Sequence, residues 1–362
     1  MLTEDAVRAM LAEVPYPGLR RDIVSLGLVR SVAVRDDRVH VSLAVASPRA
    51  DVPDQLRETV RERLARGGAV RSEVQILLPD GRLPTRSDPW AARDRLPGVK
   101  HVIAVGAGKG GVGKSTVAVN LALALMESGL RVGLLDADIY GPSVPMLVGL
   151  EDGATRIKMT DQRQILPLAA LGLAVVSFGF FLGAKSPAVW RGAMVSKAVK
   201  QFSRGVVWPD LDVLVVDLPP GTGDVPLSLA QSIVVDGAVV VTTPQRLAVL
   251  EAGKAIEMFG KLDVPLLGVV ENMSYAVCGC GRRSHPFGQG GGEALQRATG
   301  CTLLAQVPFD ETMVAGGDAG APAMTARPQG ESATVFRAIG QQVREALGIE
   351  LAQAAAARES AR

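Results

Sequence analysis

A phosphate-binding motif begins at Gly108 and ends at Ser115. The chain reads "GKGGVGKS" there, which matches the pattern G-x-x-x-x-G-K-[ST]. A β-branched run leads into it and a helical segment follows, so backbone N–H groups and a helix N-terminus can face phosphate oxygens. Lys114 is therefore predicted to reach the β- and γ-phosphates of a nucleotide, and Ser115 to ligate Mg²⁺. The loop residues predicted to bind nucleotide are Gly108, Lys109, Gly110, Gly111, Val112, Gly113, Lys114, Ser115 and Thr116.

Acidic residues follow two other apolar runs. Asp136 and Asp138 lie in "LLDADIYGPS", and Asp217 ends the run in "DVLVVDLPPGTGD". A buried carboxylate is costly without a cation partner, so Asp217 is predicted to hold Mg²⁺, directly or through water. Asp136 has either a catalytic role or a turn-capping role, and the sequence leaves both open. The backbone N–H of Gly221 is a further candidate donor to the γ-phosphate.

Sulfur chemistry is concentrated in the stretch "VENMSYAVCGCGRRSHPFGQGGGE". Cys278 and Cys280 are separated by one glycine, and His285 follows five residues later. A metal site, a redox pair and a glycine-rich turn all fit this local pattern. Cys301, before an apolar strand, is predicted to be a buried structural thiol.

The elements that must position these residues alternate between strand and helix from Lys100 onward. Five short apolar runs indicate strands that are buried on both faces, which is typical of a mainly parallel sheet covered by helices. The fold class predicted for 100–347 is therefore a doubly wound α/β domain, with its ligand site at the carboxyl ends of the strands. Its last helix, about 332–347, is predicted to dock on the core, and 348–362 to form a disordered tail.

Residues 1–78 are predicted to form a separate small α/β unit. Alternating apolar residues on both sides of Asp36-Asp37 indicate a hairpin with strands near 29–34 and 38–46. Helical segments lie before and after this hairpin, and "AVRSEVQILL" closes the unit as a strand. The next stretch, 79–99, carries four prolines without periodicity, which indicates a linker.

Composition argues against several classes of protein. The formal net charge is +2 and aromatic residues make up 4% of the chain, which favours neither nucleic acid nor an acidic lipid surface as a partner. No apolar stretch reaches the roughly 18 residues that a spanning helix needs, and the N-terminus has no signal-peptide pattern. Three cysteines are too few for a disulfide framework, so a cytoplasmic location is expected.

The extra lysine in the phosphate loop, Lys109, carries a first resemblance. "GKGGVGKS" resembles the deviant Walker A group of P-loop ATPases, which includes the ParA and MinD proteins and the nitrogenase iron protein. The resemblance implies an ATP-dependent homodimer in which Lys109 reaches the partner's nucleotide. It also implies that Asp138 positions the attacking water and that Asn272 reads the adenine. Pro308 and Asp310 fall where this group has its base-contacting loop.

Further motifs narrow the resemblance. "DIYGPS", "WRGAMVSKA", "DLPPGTGD", "VENMSY" and "FGQGGGE" together resemble the Mrp/ApbC family of iron–sulfur cluster carrier ATPases. The stretch "DIVSLGLVRSVAV" resembles the small MIP18-like domain that often precedes it. The resemblance implies a [4Fe–4S] cluster that is carried to apo-proteins, with slow ATP hydrolysis coupled to the cycle.

The cysteine spacing departs from that family. The family has C-x-x-C, with one pair from each protomer holding a bridging cluster, whereas Cys278 and Cys280 form C-x-C. Because residues i and i+2 of an extended chain point the same way, both thiols could still bind one cluster edge. The alternatives are a zinc site that includes His285, inert surface thiols, and a redox disulfide, which the tight ring disfavours. His285 is expected to orient the loop instead.

Two other functions remain open. A positioning ATPase of the ParA or MinD type would need a basic patch or a membrane helix. A nucleotide-binding adaptor without metal would leave both thiols inert.

Overall fold

The chain folds as two units that divide between Ala91 and Ala92. The computed structural model describes residues 2–17, 21–35, 38–45, 52–69, 71–77, 93–150, 157–181, 202 and 205–350. The predicted Asp36-Asp37 turn, most of the predicted linker, the "WRGAMVSKA" motif and 351–362 of the predicted tail lie outside the described residues.

The first unit is a three-stranded sheet with two helices. Its elements are α1 (Glu4–Leu11), β1 (Val29–Arg35), β2 (Arg38–Ala44), α2 (Val52–Arg66) and β3 (Arg71–Leu77). The strand order is β1-β2-β3; β1 and β2 are antiparallel, and β2 and β3 are parallel. Alternate residues such as Val39 and Val41 are buried against the apolar face of α2, which includes Leu56 and Val60. The predicted hairpin strands are therefore observed, with only their ends shifted.

The second unit contains the long sheet. Its strands are β4 (Val99–Ala107), β5 (Val132–Asp136), β6 (Lys158–Met159), β7 (Ile165–Leu166), β8 (Leu168–Ala170), β9 (Leu173–Ser177), β10 (Leu211–Asp217), β11 (Gly237–Thr242), β12 (Leu266–Glu271), β13 (Ala276–Val277), β14 (Arg283–Ser284) and β15 (Leu303–Gln306). Its described α-helices are α3 (Lys114–Glu127), α4 (Val144–Leu147), α5 (Asp224–Ser232), α6 (Arg246–Lys261), α7 (Gly291–Thr299), α8 (Glu311–Asp318), α9 (Ala323–Ala326) and α10 (Glu331–Ala346).

Eight of these strands form one sheet in the order β15-β12-β11-β4-β10-β5-β9-β8. All neighbours are parallel except β8 and β9, which form an antiparallel edge. The mainly parallel sheet predicted from the sequence is confirmed. The five apolar runs are β4, β5, β10, β11 and β12, and the predicted last helix is α10, whose Phe336 and Ile339 are buried.

The register of the central strands brings the acidic residues together. Asp217, at the end of β10, lies opposite Asp136 of β5 on one side and Val105 of β4 on the other. The phosphate loop follows β4 directly, so the loop and the carboxylates share one edge of the sheet. This edge is called the carboxyl edge below.

The linker prediction extends too far toward the C-terminus. Arg93 donates to the carbonyl of Leu262, and the Arg95 guanidinium lies 2.9 Å from the Asp236 carboxylate. Residues 93–98 thus belong to the second unit. The local sequence does not show this packing, because the partner residues lie more than a hundred positions away in the chain.

An ion-pair cluster at the amino end of β10 leads to a stability prediction. Asp212 accepts hydrogen bonds from the Arg131 backbone and side chain and lies 2.8 Å from Lys100 Nζ. The Arg131 guanidinium holds the pKa of Asp212 well below its usual range. We expect Asp212→Asn to lower the free energy of unfolding at pH 7 by about 1–3 kcal/mol, the usual value for hydrogen bonds to a charged group.

The pH dependence of this effect has a fixed sign. Because folding lowers the pKa of Asp212, its contribution is present above the unfolded pKa and is lost as the pH falls below about 4. Urea unfolding at pH 7 and at decreasing pH measures the difference. Asp210→Asn is the matched control, since Asp210 is 85% exposed and lies 3.9 Å from Arg131. Equal losses in the two variants would contradict the prediction.

Candidate nucleotide site and cysteine hairpin

A cleft of about 370 Å³ opens at the carboxyl edge. The phosphate loop forms one wall, and the segments after β5, β10 and β15 form the others. The lining residues are Lys109, Gly110, Gly111, Gly113, Lys114, Ser115, Thr116, Asp138, Gly141, Ser143, Met146, Leu147, Pro220, Met313, Val314, Gly317 and Asp318. Most of the predicted phosphate-binding residues therefore line one cleft.

The start of α3 suits an anion. Gly113 is its N-cap, with φ +80°, and provides no side-chain hydrogen bond to the first turn. A side chain at this position would be strained by the positive φ and would also collide with Asn272 Nδ2. The first N–H groups of the helix thus face the cleft without a side-chain cap, which is the arrangement that binds phosphate.

Lys114 contacts two acidic residues, Asp138 in the cleft lining and the buried Asp217. Its Nζ lies 2.7 Å from Asp217 Oδ1, 3.6 Å from Asp138 Oδ2 and 3.2 Å from Ser115 Oγ. Asp217 is fully buried, and among the described residues its Oδ2 has no hydrogen-bond partner. A buried carboxylate oxygen beside a serine hydroxyl is a suitable ligand pair for Mg²⁺. Burial raises the pKa of Asp217, and Lys114 acts in the opposite direction.

Asp136 shapes the loop that carries Asp138. Its Oδ1 accepts from the backbone N–H of Asp138 at 3.1 Å, and its Oδ2 accepts from Ser177 Oγ at 2.8 Å and from the N–H of Val144. Burial raises the pKa of Asp136 to about 7, and the neighbouring Asp217 adds to the rise. Of the two roles left open by the sequence, the observed contacts are those of a residue that holds a turn.

The structure gives the surroundings of two further predicted residues, Lys109 and Gly221. Lys109 lines the cleft half-exposed, and it has no ion-pair partner within the described part of the chain. The N–H of Gly221 donates to the Ala107 carbonyl at 2.8 Å. This differs from the prediction that Gly221 is free to donate to a γ-phosphate, because the loop folds back onto the end of β4.

None of the residues predicted to contact the base lines the cleft; Asn272 and Pro308 are buried, and Asp310 is partly exposed. Asn272 is 1% exposed, and its Nδ2 donates to the Val112 carbonyl at 2.8 Å, while its Oδ1 has no partner among the described residues. Asp310 caps α8 by accepting from Thr312, and it also accepts from Ser332 Oγ at 3.0 Å. Pro308 is buried. The observed role of Asp310 is thus to cap α8 and to join it to α10.

Sequence reasoning missed one wall of the cleft. Met313, Val314, Gly317 and Asp318 all belong to α8, and Met146 and Leu147 to α4. The types of these residues do not by themselves indicate a nucleotide site. The available signal is topological: α8 follows β15, so its first turn must lie at the carboxyl edge.

The two cysteines lie at the exposed tip of a hairpin. Strands β13 and β14 pair antiparallel, and the Cys278 N–H donates to the Arg282 carbonyl at 3.0 Å. Cys278 and Cys280 are exposed and joined in a disulfide, with their Cα atoms 5.3 Å apart. The expectation that the small ring disfavours a disulfide is therefore wrong for this loop, since the turn brings the Cα atoms within the usual disulfide range.

The base of the hairpin is fastened to the cleft wall. Tyr275 is 7% exposed, and its hydroxyl donates to Glu331 Oε1 at 2.9 Å. The Arg283 guanidinium lies 4.3 Å from the centroid of the Tyr275 ring and 3.3 Å from Glu331. The N–H of Phe309, next to the α8 cap, donates to the Tyr275 carbonyl at 2.6 Å. The hairpin is thus attached to α8 and α10.

The other sulfur and imidazole groups stay apart from this tip. His285 Nδ1 lies 3.0 Å from the Ser274 carbonyl, as expected for a residue that orients the loop. Across the described ranges, no three His, Cys, Asp or Glu residues form a group able to hold a metal ion. Cys301 is partly exposed rather than buried, because the turn after α7 leaves it at the surface.

Comparison with known proteins agrees with this architecture. A family profile described as ParA, NUBPL iron-transfer P-loop NTPase, matches residues 98–344. An iron–sulfur cluster carrier protein of Deinococcus radiodurans is 44% identical over 338 residues, which are 93% of each chain. The chain belongs to this ParA-type family of P-loop NTPases. The resemblance to the Mrp/ApbC carriers is thereby confirmed.

Other members and neighbours extend the comparison. The iron–sulfur cluster carrier protein of Escherichia coli is 42% identical over 94% of this chain and 92% of its own. A profile described as an iron–sulfur cluster assembly protein matches residues 4–76 of the first unit. An Archaeoglobus fulgidus nucleotide-binding protein in complex with ADP is 37% identical, with a TM-score of 0.58, over 67% of this chain and 94% of its own. In the described parts of this family member, no helix is long and apolar enough to cross a membrane.

Proposed function

We propose that the chain is an ATP-dependent iron–sulfur cluster carrier. One observation carries the proposal: an exposed cysteine pair sits on a hairpin whose base contacts the phosphate loop through Asn272 and Val112. A cargo site and a nucleotide site are thus joined by a short, buried path. The names of the iron–sulfur cluster carrier relatives support the same function.

Nucleotide binding follows from the charges of the cleft. The phosphates of ATP bind the N–H groups at the start of α3, and their oxygens replace Asp217 as the partner of Lys114. Asp217 and Ser115 would hold Mg²⁺, and the bound ion would neutralise negative charge on the phosphate oxygens. Asn272 Oδ1 is buried without a partner among the described residues and would accept from the adenine amino group once nucleotide binding exposes it.

Hydrolysis uses the residues around the γ-phosphate. Asp138 accepts a hydrogen bond from the attacking water, and Asp136 keeps Asp138 in place through its backbone N–H. The water oxygen bonds to the γ-phosphorus while the bond to the β–γ bridging oxygen breaks, and Lys114 stabilises the charge that develops. Lys109, which has no ion-pair partner within the described residues, is available to the nucleotide of a second copy.

The cargo requires the reduced form of the cysteine pair. Fe–S clusters are held by four thiolates, and each chain supplies two, Cys278 and Cys280. Two copies therefore hold one [4Fe–4S] cluster between their hairpins. Ligand exchange with the cysteines of an apo client protein transfers the cluster, and the nucleotide cycle sets how tightly the two copies hold it.

Anaerobic reconstitution with iron and sulfide after reduction tests the proposal. We expect the wild type to bind about two irons per chain, the number for a [4Fe–4S] cluster shared by two copies. Cys278→Ala combined with Cys280→Ala should lose nearly all of this iron, together with its visible absorption. Cys301→Ala is the matched control and should keep the wild-type iron content. A double variant that binds as much iron as the wild type would exclude the hairpin as the cluster site.

A further inference from the structure

A buried carboxylate lies between the phosphate loop and the cysteine hairpin. Glu271 ends β12 and is fully buried, and it takes part in none of the steps proposed above. Its hydrogen-bond partners are the hydroxyl, amide and backbone N–H groups described below, and among the described residues no Lys, Arg or His forms an ion pair with it. Burying a carboxylate without a cation is costly, so these hydrogen bonds indicate what Glu271 does.

The carboxylate of Glu271 holds both ends of residues 274–292. Its Oε1 accepts from Ser274 Oγ, before β13, and its Oε2 accepts from the backbone N–H of Gly292, in the first turn of α7. We call 274–292 the hairpin segment, because it contains β13, β14 and the cysteine pair. One side chain thus closes this segment into a loop at its base.

The glycine run of "FGQGGGE" allows this contact. An added Cβ at Gly292 would lie 2.7 Å from Leu303 Cδ1 and 3.3 Å from Glu271 Cβ, so a side chain there would require both neighbours to shift. The first N–H groups of a helix also carry partial positive charge, which stabilises a carboxylate at the start of α7. The start of α7 can therefore lie directly against the end of β12.

The same strand end contacts the phosphate loop. Asn272 follows Glu271 in the chain, and its Nδ2 donates to the Val112 carbonyl at 2.8 Å. The Val307 N–H donates to the Glu271 carbonyl at 2.8 Å, and the Ser274 N–H donates to the Val307 carbonyl at 2.9 Å. The strand end and the entry of the hairpin segment thus form one buried, hydrogen-bonded unit beside the loop.

We propose that Glu271 is the positioning residue of the cysteine hairpin, because its two oxygens fix both ends of the hairpin segment on the strand end that contacts the phosphate loop. The inference rests on the proposed function, since it gives the route by which nucleotide binding reaches the cysteine pair. A carboxylate suits this role because three donors converge on it, the third being Gln306 Nε2 at 3.1 Å. An amide offers only one oxygen, and its NH₂ group would face one of these donors.

Glu271→Gln tests the inference on reduced, cluster-free protein. The measurement is the rate at which iodoacetamide alkylates Cys278 and Cys280, with and without Mg²⁺ and a non-hydrolysable ATP analogue. We expect nucleotide to change this rate by about tenfold in the wild type and by less than about twofold in the variant, the scale of one hydrogen bond to a charged group. Circular dichroism, ADP affinity and the alkylation rate of Cys301 should match the wild type, which a general loss of structure would not allow.

Glu293→Gln is the matched control. Gln306 Nε2 also donates to Glu293 Oε1, at 2.9 Å, so the same change is made in the same cluster without touching the bonds to Ser274 and Gly292. This variant should keep the wild-type response to nucleotide. Ser274→Ala removes only the entry bond and should give a response between those of the wild type and Glu271→Gln.

Three results would overturn the inference: a wild type whose alkylation rate ignores nucleotide, a Glu271→Gln variant that responds like the wild type, or a Glu293→Gln variant that loses the response equally. If Glu271→Gln does not fold, Ser274→Ala decides, and an unchanged response in that variant would count against the inference. The assay contains no iron. A wild type that binds no iron in the reconstitution would therefore remove the carrier function and leave this result as it stands.

Discussion

Lys114→Ala is expected to lower the rate of ATP hydrolysis by about 10²–10³-fold, the usual effect of removing one donor to a developing oxyanion. The substitution also removes the only charged partner that the described residues provide within 3 Å of Asp217 Oδ1. A buried ion pair that loses one member destabilises a protein by about 3–5 kcal/mol. The variant should therefore hydrolyse ATP more slowly than the wild type and also be less stable.

A second substitution separates these two effects. Lys114→Ala combined with Asp217→Asn no longer buries an unpaired charge, so most of the stability should return while hydrolysis stays low. Phosphate release and urea unfolding measure the two quantities on the same samples. Lys254→Ala is the control, because Lys254 forms only an exposed pair on α6. Wild-type hydrolysis in Lys114→Ala would remove this residue from the reaction.

Gly108→Ala is expected to cost at least about 3 kcal/mol of stability, at the upper end of the range for overpacking. The added methyl group would collide with the carbonyl group of Glu251, which belongs to the backbone of α6 and cannot rotate away. Either α6 or the phosphate loop must move. Because the loop binds phosphate through its backbone, we expect the affinity for ADP to fall at least tenfold.

The same substitution two residues later is the control. At Gly110 the nearest heavy atom to an added Cβ is Pro220 Cγ, at 4.0 Å, which is an ordinary contact. Gly110→Ala should therefore keep nearly all of the stability. Calorimetric titration with ADP and urea unfolding compare the two variants. Similar losses in both would show that the contact between α6 and the loop is not the cause.

The sequence predicts most of the second unit because its strands are buried on both faces. Short apolar runs rich in β-branched residues, such as "VLVV" before Asp217, favour buried parallel strands, and the phosphate loop fixes which strand ends must meet. The register of β10 between β4 and β5 then follows from the chemistry that needs Asp217 beside the loop. The acidic residue at the end of β10 and the position of β10 in the sheet can thus both be predicted from the sequence.

Other features depend on contacts between distant segments. Nothing in the local sequence shows that the Gly221 N–H bonds to Ala107, that Asp310 is shared between two helices, or that 93–98 packs on the second unit. The wall formed by α8 is likewise set by topology rather than residue type. The tight ring of a C-x-C pair disfavours a disulfide at the level of sequence, and the local pattern does not show the turn that brings the two Cα atoms to 5.3 Å.

The short strands β13 and β14 separate the cysteine tip from the rest of the molecule. Tyr275 and Asn272 fasten the base of the hairpin, while residues 277–286 are exposed. Exposed loop tips tolerate insertions and deletions far better than buried segments do. A residue gained or lost between Cys278 and Cys280 therefore changes the distance between the two sulfurs without straining the phosphate loop or the sheet that carries it. The spacing of the cysteine pair can therefore change in evolution while the phosphate loop stays as it is.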